Sequence, residues 1–199
     1  MFLKLYVVII PFLVCFLSTI SITVNAQSIN DIASEYIIPI NKTADLDVFA
    51  MTLPSKHSLA DHETNARLII LLTNLDIKRL DDGSDTKVAN GKAFFLENTF
   101  SKGFSNESQA PLSYLVLQPN KTLVNGVLPA CEYLFEPIID NEKVRVCKQN
   151  DSGINLSDIE IENLVMMHDT TQNNNKLLNI VNIIYLDRVL YKWYFKTKA

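Results

Sequence analysis

Two cysteines, Cys131 and Cys147, constrain the fold of this chain more than any other feature of its sequence. Between them, apolar stretches lie on either side of a polar tip formed by Asp140, Asn141 and Glu142. This pattern predicts two antiparallel strands that fold back at the tip, with a disulfide between the cysteines closing their open ends. A disulfide that closes a short loop of this kind contributes about 3 kcal/mol in the chain-entropy account.

The N-terminus has the three parts of a secretory signal peptide. Lys4 precedes an apolar run from Tyr6 to Val24, and Ala26 supplies the small residue that a signal peptidase needs. We therefore expect residues 1–26 to be a signal peptide that is cleaved after Ala26. The apolar run is nearly long enough to cross a bilayer, so an uncleaved anchor is the alternative, and only that alternative predicts a membrane contact.

The mature chain, residues 27–199, is long enough for one domain with a substantial core. Removing residues 1–26 takes away one lysine and no acid, so the net charge changes from −4 to −5. A mildly acidic chain has no global field for nucleic acid, and we expect no nucleic-acid partner. Cys15 leaves with the peptide, which leaves two cysteines for one disulfide in an oxidising, extracytoplasmic compartment: extracellular, secretory lumen or periplasm.

Short apolar stretches separated by turn signals predict a mainly β fold. Asp82-Gly83, Asn90-Gly91 and Asn125-Gly126 are hairpin turn signals, and the first two predict a three-strand meander through residues 75–96. The other predicted strands cover residues 45–53, 68–72, 112–117 and 122–128, in addition to the disulfide hairpin. Residues 178–195 predict a terminal hairpin, or one long bent strand, because Asp187-Arg188 is a poor two-residue turn. About ten strands at this spacing predict one antiparallel β-sandwich-like domain, with a barrel as the alternative.

The C-terminal strand pattern has two interpretations. Val189, Tyr191, Trp193 and Phe195 alternate with lysines, which predicts a terminal strand with the aromatic face in the core. The alternative is that cations and aromatics together bind an anionic membrane surface, a polyanion or a glycan.

Two segments predict short helices. Residues 32–37 have near-helical apolar spacing and are followed by Pro39, which ends any helix there. Ser157 to Glu160 fit a capping box, and the apolar spacing that follows predicts a helix through His168. The alternative for this second segment is a strand, because Ile159 and Ile161 alternate with acidic residues.

Two long polar loops, residues 97–110 and 150–156, are candidates for partner contacts, because loops on a rigid sheet often carry them. Phe104 lies in the first loop, and an exposed aromatic there is a possible partner contact. The alternative is that Phe104 packs against the edge of the core.

Five Asn-X-Ser/Thr sequences are possible glycosylation sites if the chain passes through a secretory pathway that glycosylates. They are Asn41, Asn106, Asn120, Asn150 and Asn155.

Recognisable catalytic motifs are absent from the sequence. His57, Asp61 and His62 are close in sequence but lack the further ligands that a metal site needs, so we predict neither a metal nor a cofactor. No GxSxG or phosphate-binding glycine loop is present. A pair of carboxylates acting as a hydrolase is the one remaining catalytic possibility.

The sequence therefore predicts an exported, non-catalytic binding domain whose contacts come from polar loops on a disulfide-linked β scaffold. Its partner would be a protein, a glycan or a small apolar ligand. The alternative function is a barrel-type carrier that encloses a small apolar ligand, and a carboxylate-dependent hydrolase ranks third.

Overall fold

The computed structural model describes residues 28–29, 33–97, 100–150, 152–173 and 175–199. The predicted signal peptide, residues 1–26, lies outside the described residues. The described chain is mainly β, as the sequence predicted, and its short 3-10 helices are Ser34–Tyr36, Leu156–Asp158 and Ile161–Asn163.

The strands are numbered in chain order. The first half of the chain contains β1 (Ile37–Lys42), β2 (Leu46–Leu53), β3 (Ser58–Leu59), β4 (His62–Glu63), β5 (Arg67–Leu71), β6 (Leu75–Arg79), β7 (Asp85–Val88), β8 (Ala93–Leu96), β9 (Phe100–Ser101), β10 (Phe104–Asn106) and β11 (Leu112–Pro119). The second half contains β12 (Phe135–Asp140), β13 (Val144–Gln149), β14 (Leu164–Asn173), β15 (Lys176–Tyr185) and β16 (Arg188–Lys198).

These strands form three antiparallel sheets that pack in layers. The central sheet has the order β1-β2-β11-β5-β8, and the C-terminal sheet has the order β12-β13-β16-β15-β14. A third sheet, β3-β10-β6-β7, is called the cavity sheet because of the space it encloses, and β4 pairs with β9 in a short ribbon.

Both faces of the central sheet are buried. On β2, Leu46, Val48 and Ala50 face the C-terminal sheet, whereas Phe49 faces the cavity sheet, because successive side chains of a strand point to opposite faces. The same alternation on β5 explains why residues 68–72 are apolar without interruption. The strand predicted there is confirmed, and it contributes to two cores at once.

The core between the central and C-terminal sheets is made of buried apolar side chains from both. It includes Leu68, Ile70 and Leu117 on one side and Val181 and Trp193 on the other, all fully buried. Burying each such side chain stabilises the fold by about 1.5–3 kcal/mol relative to exposure. This core therefore joins the two halves of the chain.

The C-terminal strands form the predicted hairpin. Leu186 and Asp187 both have positive φ, which is the geometry of a tight two-residue turn between β15 and β16. Tyr191, Trp193 and Phe195 are buried, and the lysines that alternate with them are partly exposed. The prediction that this aromatic face lies in the core is confirmed.

The disulfide hairpin is present. Cys131 and Cys147 are bonded, and β12 and β13 pair about a tip near residue 141. The first strand begins later than predicted, because Tyr133 and Leu134 form a turn closed by the Phe135 N–H donating to the Glu132 carbonyl at 2.9 Å.

The prediction of a hairpin at Asn125-Gly126 is wrong. The segment instead runs extended over the C-terminal sheet: Leu123 bridges to Thr197, and the Gly126 N–H donates to the Glu142 carbonyl at 2.9 Å. Leu128 then packs against the outer face of the sheet. Nearby strands satisfy the backbone of this segment, so it needs no turn of its own.

The predicted meander is correct in its turns and wrong in one pairing. Gly83 and Gly91 both adopt positive φ, and β6 pairs with β7 as expected. However, β8 pairs with β5 of the central sheet. A turn signal predicts where the chain reverses but does not say which sheet the next strand joins.

The predicted helix over residues 157–168 is wrong. Two short 3-10 helices occupy residues 156–163, and β14 then pairs with β15 along its whole length. Val165 and Met167 remain about half exposed on this strand at the edge of the sheet. The strand alternative placed the alternation too early, at Ile159 and Ile161.

Near the N-terminus, the helix predicted over residues 32–37 falls partly outside the described residues. Within the described part, Ser34–Tyr36 form a 3-10 turn and β1 begins at Ile37. Pro39, which was expected to end a helix, lies inside β1. This strand is at the edge of the central sheet, where the missing proline N–H is tolerated.

Candidate functional site

A cavity of about 370 Å³ lies between the central sheet and the cavity sheet. Most of its wall is apolar and comes from strands of both sheets. The wall includes Phe49, Ile69, Ile77, Val88, Phe94 and Phe104. The two sheets therefore pack around a space instead of closing on each other.

Strand alternation places Arg67, the most deeply buried of the cavity's charged residues, in the wall. Arg67 is the first residue of β5, and it shares the parity of Ile69 and Leu71, which line the cavity wall. On the neighbouring strand β11, Tyr114 and Val116 face the same way. The period of the β-strand thus sets a guanidinium and a phenol beside apolar side chains.

Arg67, His62 and Tyr114 form a polar group within the cavity wall, and their exposures are 5%, 3% and 6%. The Arg67 charge acts electrostatically on both other residues, in the direction that lowers the pKa of each. A side-chain N–H of Arg67 also donates to the Asn65 carbonyl at 3.3 Å. A buried cation and two neutral polar groups therefore share a wall that is mostly apolar.

Burial sets the protonation of these groups. Burial lowers the pKa of His62, against the opposing effect of its bond to the Ala60 carbonyl, so the imidazole is neutral at neutral pH. Because a carbonyl can only accept, we assign the proton to Nδ1, which lies 2.9 Å from the Ala60 oxygen, and Nε2 remains an acceptor. Burial raises the pKa of Tyr114, so its hydroxyl stays a donor, while Arg67 stays charged even though burial lowers its pKa.

Part of the wall comes from the segment predicted to be a polar loop, residues 97–110. This segment forms β9 and β10, and its Ser101, Lys102 and Phe104 line the cavity. The Gly103 N–H donates to the Asp61 carboxylate at 2.6 Å, which fixes the segment against the chain before β4. The loop is therefore a structural part of the cavity.

Phe104, the candidate partner contact, is half-buried. It packs against the apolar cluster on the cavity side of the central sheet, which includes Met51 and Leu71. Its ring lines the cavity, so it faces a space inside the fold. This placement agrees with the alternative that the ring packs against the edge of the core.

The histidines considered for a metal site have different surroundings. His57 is exposed and contacts the Ser55 carbonyl and the ring of Tyr36, whereas His62 is buried in the cavity wall. Among the described residues, no three His, Cys, Asp or Glu side chains are grouped so that they could hold a metal ion.

Four of the five possible glycosylation sites are accessible in the fold. Asn120, Asn150 and Asn155 are exposed and Asn41 is partly exposed. Asn106 is different because it is completely buried, and its side-chain amide donates to three backbone carbonyls. In the folded chain, the Asn106 amide is therefore not accessible as a glycosylation site.

A second cavity of about 360 Å³ lies beside the C-terminal sheet. Its wall combines polar and apolar residues: Lys148, Gln149, Ser152, Gly153, Ile154, Asn155, Leu156, Leu190 and Tyr191. It therefore includes residues 152–156 of the predicted loop 150–156, and less of its wall is apolar than in the first cavity.

Several exposed large apolar residues lie close to Cys131 in the sequence. Tyr133 is 97% exposed, Val127 90% and Leu134 59%. The sequence does not predict this exposure, because the pattern Tyr-Leu-Phe after Cys131 is typical of a strand with a buried face. No helix within the described residues has both the length and the apolar character needed to cross a membrane.

The sequence matches no protein-family model and no curated protein. Part of the fold is similar to solved structures. A cupin domain from Bordetella pertussis aligns with a TM-score of 0.36 and 11% identity, over 42% of this chain and 93% of that chain. A Klebsiella pneumoniae protein with a double-stranded β-helix domain aligns with a TM-score of 0.35 and 16% identity, over 44% of this chain and 86% of that chain. The polyketide cyclase RemF from Streptomyces resistomycificus gives a TM-score of 0.34 and 19% identity, over 40% of this chain and 60% of that chain.

Proposed function

We propose that this chain is an exported, non-catalytic binding domain that takes up a small, largely apolar ligand in the cavity beneath the central sheet. The observation that carries the proposal is the cavity itself: about 370 Å³, formed between two sheets and walled mostly by apolar side chains. Ligand sites in proteins have volumes of roughly 300–1,000 Å³ and combine an apolar wall with a few polar groups.

The volume limits the size of the ligand. A water molecule accounts for about 30 Å³ of liquid, so the cavity corresponds to roughly twelve groups of that size. A ligand of about ten heavy atoms, such as an eight-carbon chain with one polar end, therefore matches the space. Larger lipids would have to extend out of the cavity.

The cavity favours a small ligand over a partner protein bound by the loops. The loop at residues 97–110, which was the main candidate for partner contacts, contributes Ser101, Lys102 and Phe104 to the cavity wall. The described lining residues also include no Asp or Glu, so a carboxylate-dependent hydrolase gains no support from this cavity.

Export is supported by two features of the chain. The apolar segment before Ala26 has the pattern of a signal peptide. The disulfide between Cys131 and Cys147 is compatible with an oxidising compartment.

The test is calorimetric titration with 1-octanol, a neutral probe of matching size. We expect saturable binding of about one molecule per chain. Val88→Trp places a larger ring in the cavity wall and should abolish this binding, whereas Val189→Trp, at a similarly half-buried strand position outside the cavity wall, should leave it intact. Equal binding by the wild type and both variants, or no binding by the wild type, would refute the proposal.

A further inference from the structure

The charges on the described part of the cavity wall have one sign. The described residues that line the cavity include the cations Arg67, Arg79 and Lys102 and no Asp or Glu. An anionic ligand would meet charge of the opposite sign at this wall. The charge therefore indicates something about the ligand.

Two of the three cations are held at exposed positions by acids that lie outside the cavity lining. Arg79 pairs with Asp81 at 2.7 Å, and Lys102 pairs with Asp61 at 3.5 Å. The side chains of both cations are between two-fifths and just over half exposed. They contribute a positive potential at the wall, but solvent screens them.

Arg67 differs because it is 5% exposed and lies against the apolar wall. A charge in such surroundings is costly to bury, and it interacts strongly with any opposite charge that enters the same space. The planar guanidinium has five N–H donors whose arrangement matches the two oxygens of a carboxylate. It is the group in the wall best suited to bind an anion.

Tyr114 completes the donor set. Its hydroxyl is held in the protonated form by burial and lies within the electrostatic reach of Arg67. His62 is hydrogen-bonded through Nδ1 to the Ala60 carbonyl, which orients its ring at the wall. A ligand head group at this point would meet a cation, a hydroxyl donor and an oriented imidazole.

We propose that the cavity binds an amphipathic monoanion, an alkyl or aryl chain ended by one carboxylate, with the carboxylate at Arg67 and Tyr114 and the chain along the apolar wall. This inference rests on the proposed uptake of a small ligand by the same cavity, and it specifies the chemical class of that ligand. Hydrogen bonds to charged groups are stronger than neutral ones, so the carboxylate should bind more tightly than the matching alcohol, by about tenfold to a hundredfold.

The experiment compares octanoate with 1-octanol at pH 7.5 by calorimetry. We expect the wild type to bind octanoate at least tenfold more tightly than 1-octanol. Arg67→Met keeps an unbranched apolar side chain and removes the charge, so it should abolish this preference by weakening octanoate binding while leaving 1-octanol binding within twofold. Arg188→Met, which makes the same change of net charge at an exposed residue of β16, should retain the preference.

The outcomes separate the two proposals. If neither compound binds the wild type, the proposed uptake of a small ligand fails, and the carboxylate inference fails with it. If 1-octanol binds as tightly as octanoate, or if Arg67→Met keeps the preference, the carboxylate inference is refuted and uptake of an apolar ligand stands. Should Arg67→Met fail to fold, as judged by circular dichroism, Tyr114→Phe decides: a threefold to tenfold loss of octanoate binding alone is expected, and no loss refutes the assignment.

Discussion

Asn106 fixes the segment that forms one wall of the cavity, and its replacement by aspartate tests how firmly that segment is held. The side chain is completely buried. Its Nδ2 group donates to the carbonyls of Leu53, Pro54 and Ala110 at 3.1, 3.1 and 3.0 Å. Its Oδ1 accepts from the Ser108 N–H at 3.1 Å and from the Ser108 hydroxyl at 2.8 Å.

Aspartate has nearly the same shape but removes the donor. In Asn106→Asp, the Oδ1 contacts survive, whereas the three carbonyls meet a carboxylate oxygen that must either take up a proton or repel them. Leaving a buried polar group unsatisfied costs about 1–3 kcal/mol, and at least one of the three carbonyls loses its partner even if the carboxyl is protonated. We therefore expect the free energy of unfolding to fall by about 3 kcal/mol, which corresponds to a drop in Tm of about 6–12 °C for a chain of this size.

The assay is equilibrium unfolding in urea of the mature chain at pH 7.5, with thermal unfolding as a second measurement. Asn155→Asp is the matched control, because Asn155 is exposed and its side-chain oxygen accepts from the Ser157 N–H, a role that aspartate keeps. The control should change stability by less than about 0.5 kcal/mol. If Asn106→Asp is as stable as the control, the amide bonds at Asn106 do not hold the segment in place.

Three further results follow from the structure. Burial lowers the pKa of His62, so below the ordinary histidine pKa of about 6.5 the unfolded chain binds more protons than the folded chain. The free energy of unfolding should therefore fall between pH 7 and pH 5, and it should fall less steeply in His62→Gln. Equal slopes for the two proteins would contradict this. Gly103→Ala places a Cβ 2.8 Å from the Leu59 carbonyl oxygen and should lower the free energy of unfolding in urea by about 1–3 kcal/mol. Gly126→Ala meets only the flexible end of the Lys196 side chain, so its free energy of unfolding should change little. Replacing both Cys131 and Cys147 by serine should lower the free energy of unfolding by about 3 kcal/mol, and thiol titration of the unreduced wild type should find no free thiol from these two residues.

The sequence predicted strands where polar and apolar residues alternate, where a short apolar run has polar boundaries, or where strong turn signals mark the ends. Residues 45–48 alternate acidic and apolar side chains, residues 68–72 form such a run, and Gly83 and Gly91 adopt the positive φ that their neighbours indicated. The helix predicted at residues 157–168 failed for a physical reason. Leu164 is buried but Val165 and Met167 are half exposed at the edge of a sheet, so the strand is apolar on both faces and shows no alternation.

The candidate site was the least predictable part. Arg67 reads in the sequence as the polar boundary of a buried strand, and its position in the cavity depends on how far apart the two sheets pack. For His62, the sequence suggests only an incomplete metal site. One sequence feature does indicate the position of Arg67: it alternates with Ile69 and Leu71 along β5, so its charge lies on the same face of the strand as these apolar residues.

The burial of the central sheet on both faces changes how the register of its strands is specified. In a sheet with one wet face, a shift by one residue would expose every buried side chain, and that cost fixes the register. Over residues 48–51 of β2, such a shift would only exchange one apolar environment for another. The difference that remains there is size: the small Ala50 faces the core against the C-terminal sheet, whereas the larger Phe49 faces the side that contains the cavity. On this part of the strand, side-chain volume determines the register that polarity determines in a sheet with one wet face. Replacing Ala50 by a larger apolar residue should therefore be among the most destabilising substitutions on β2.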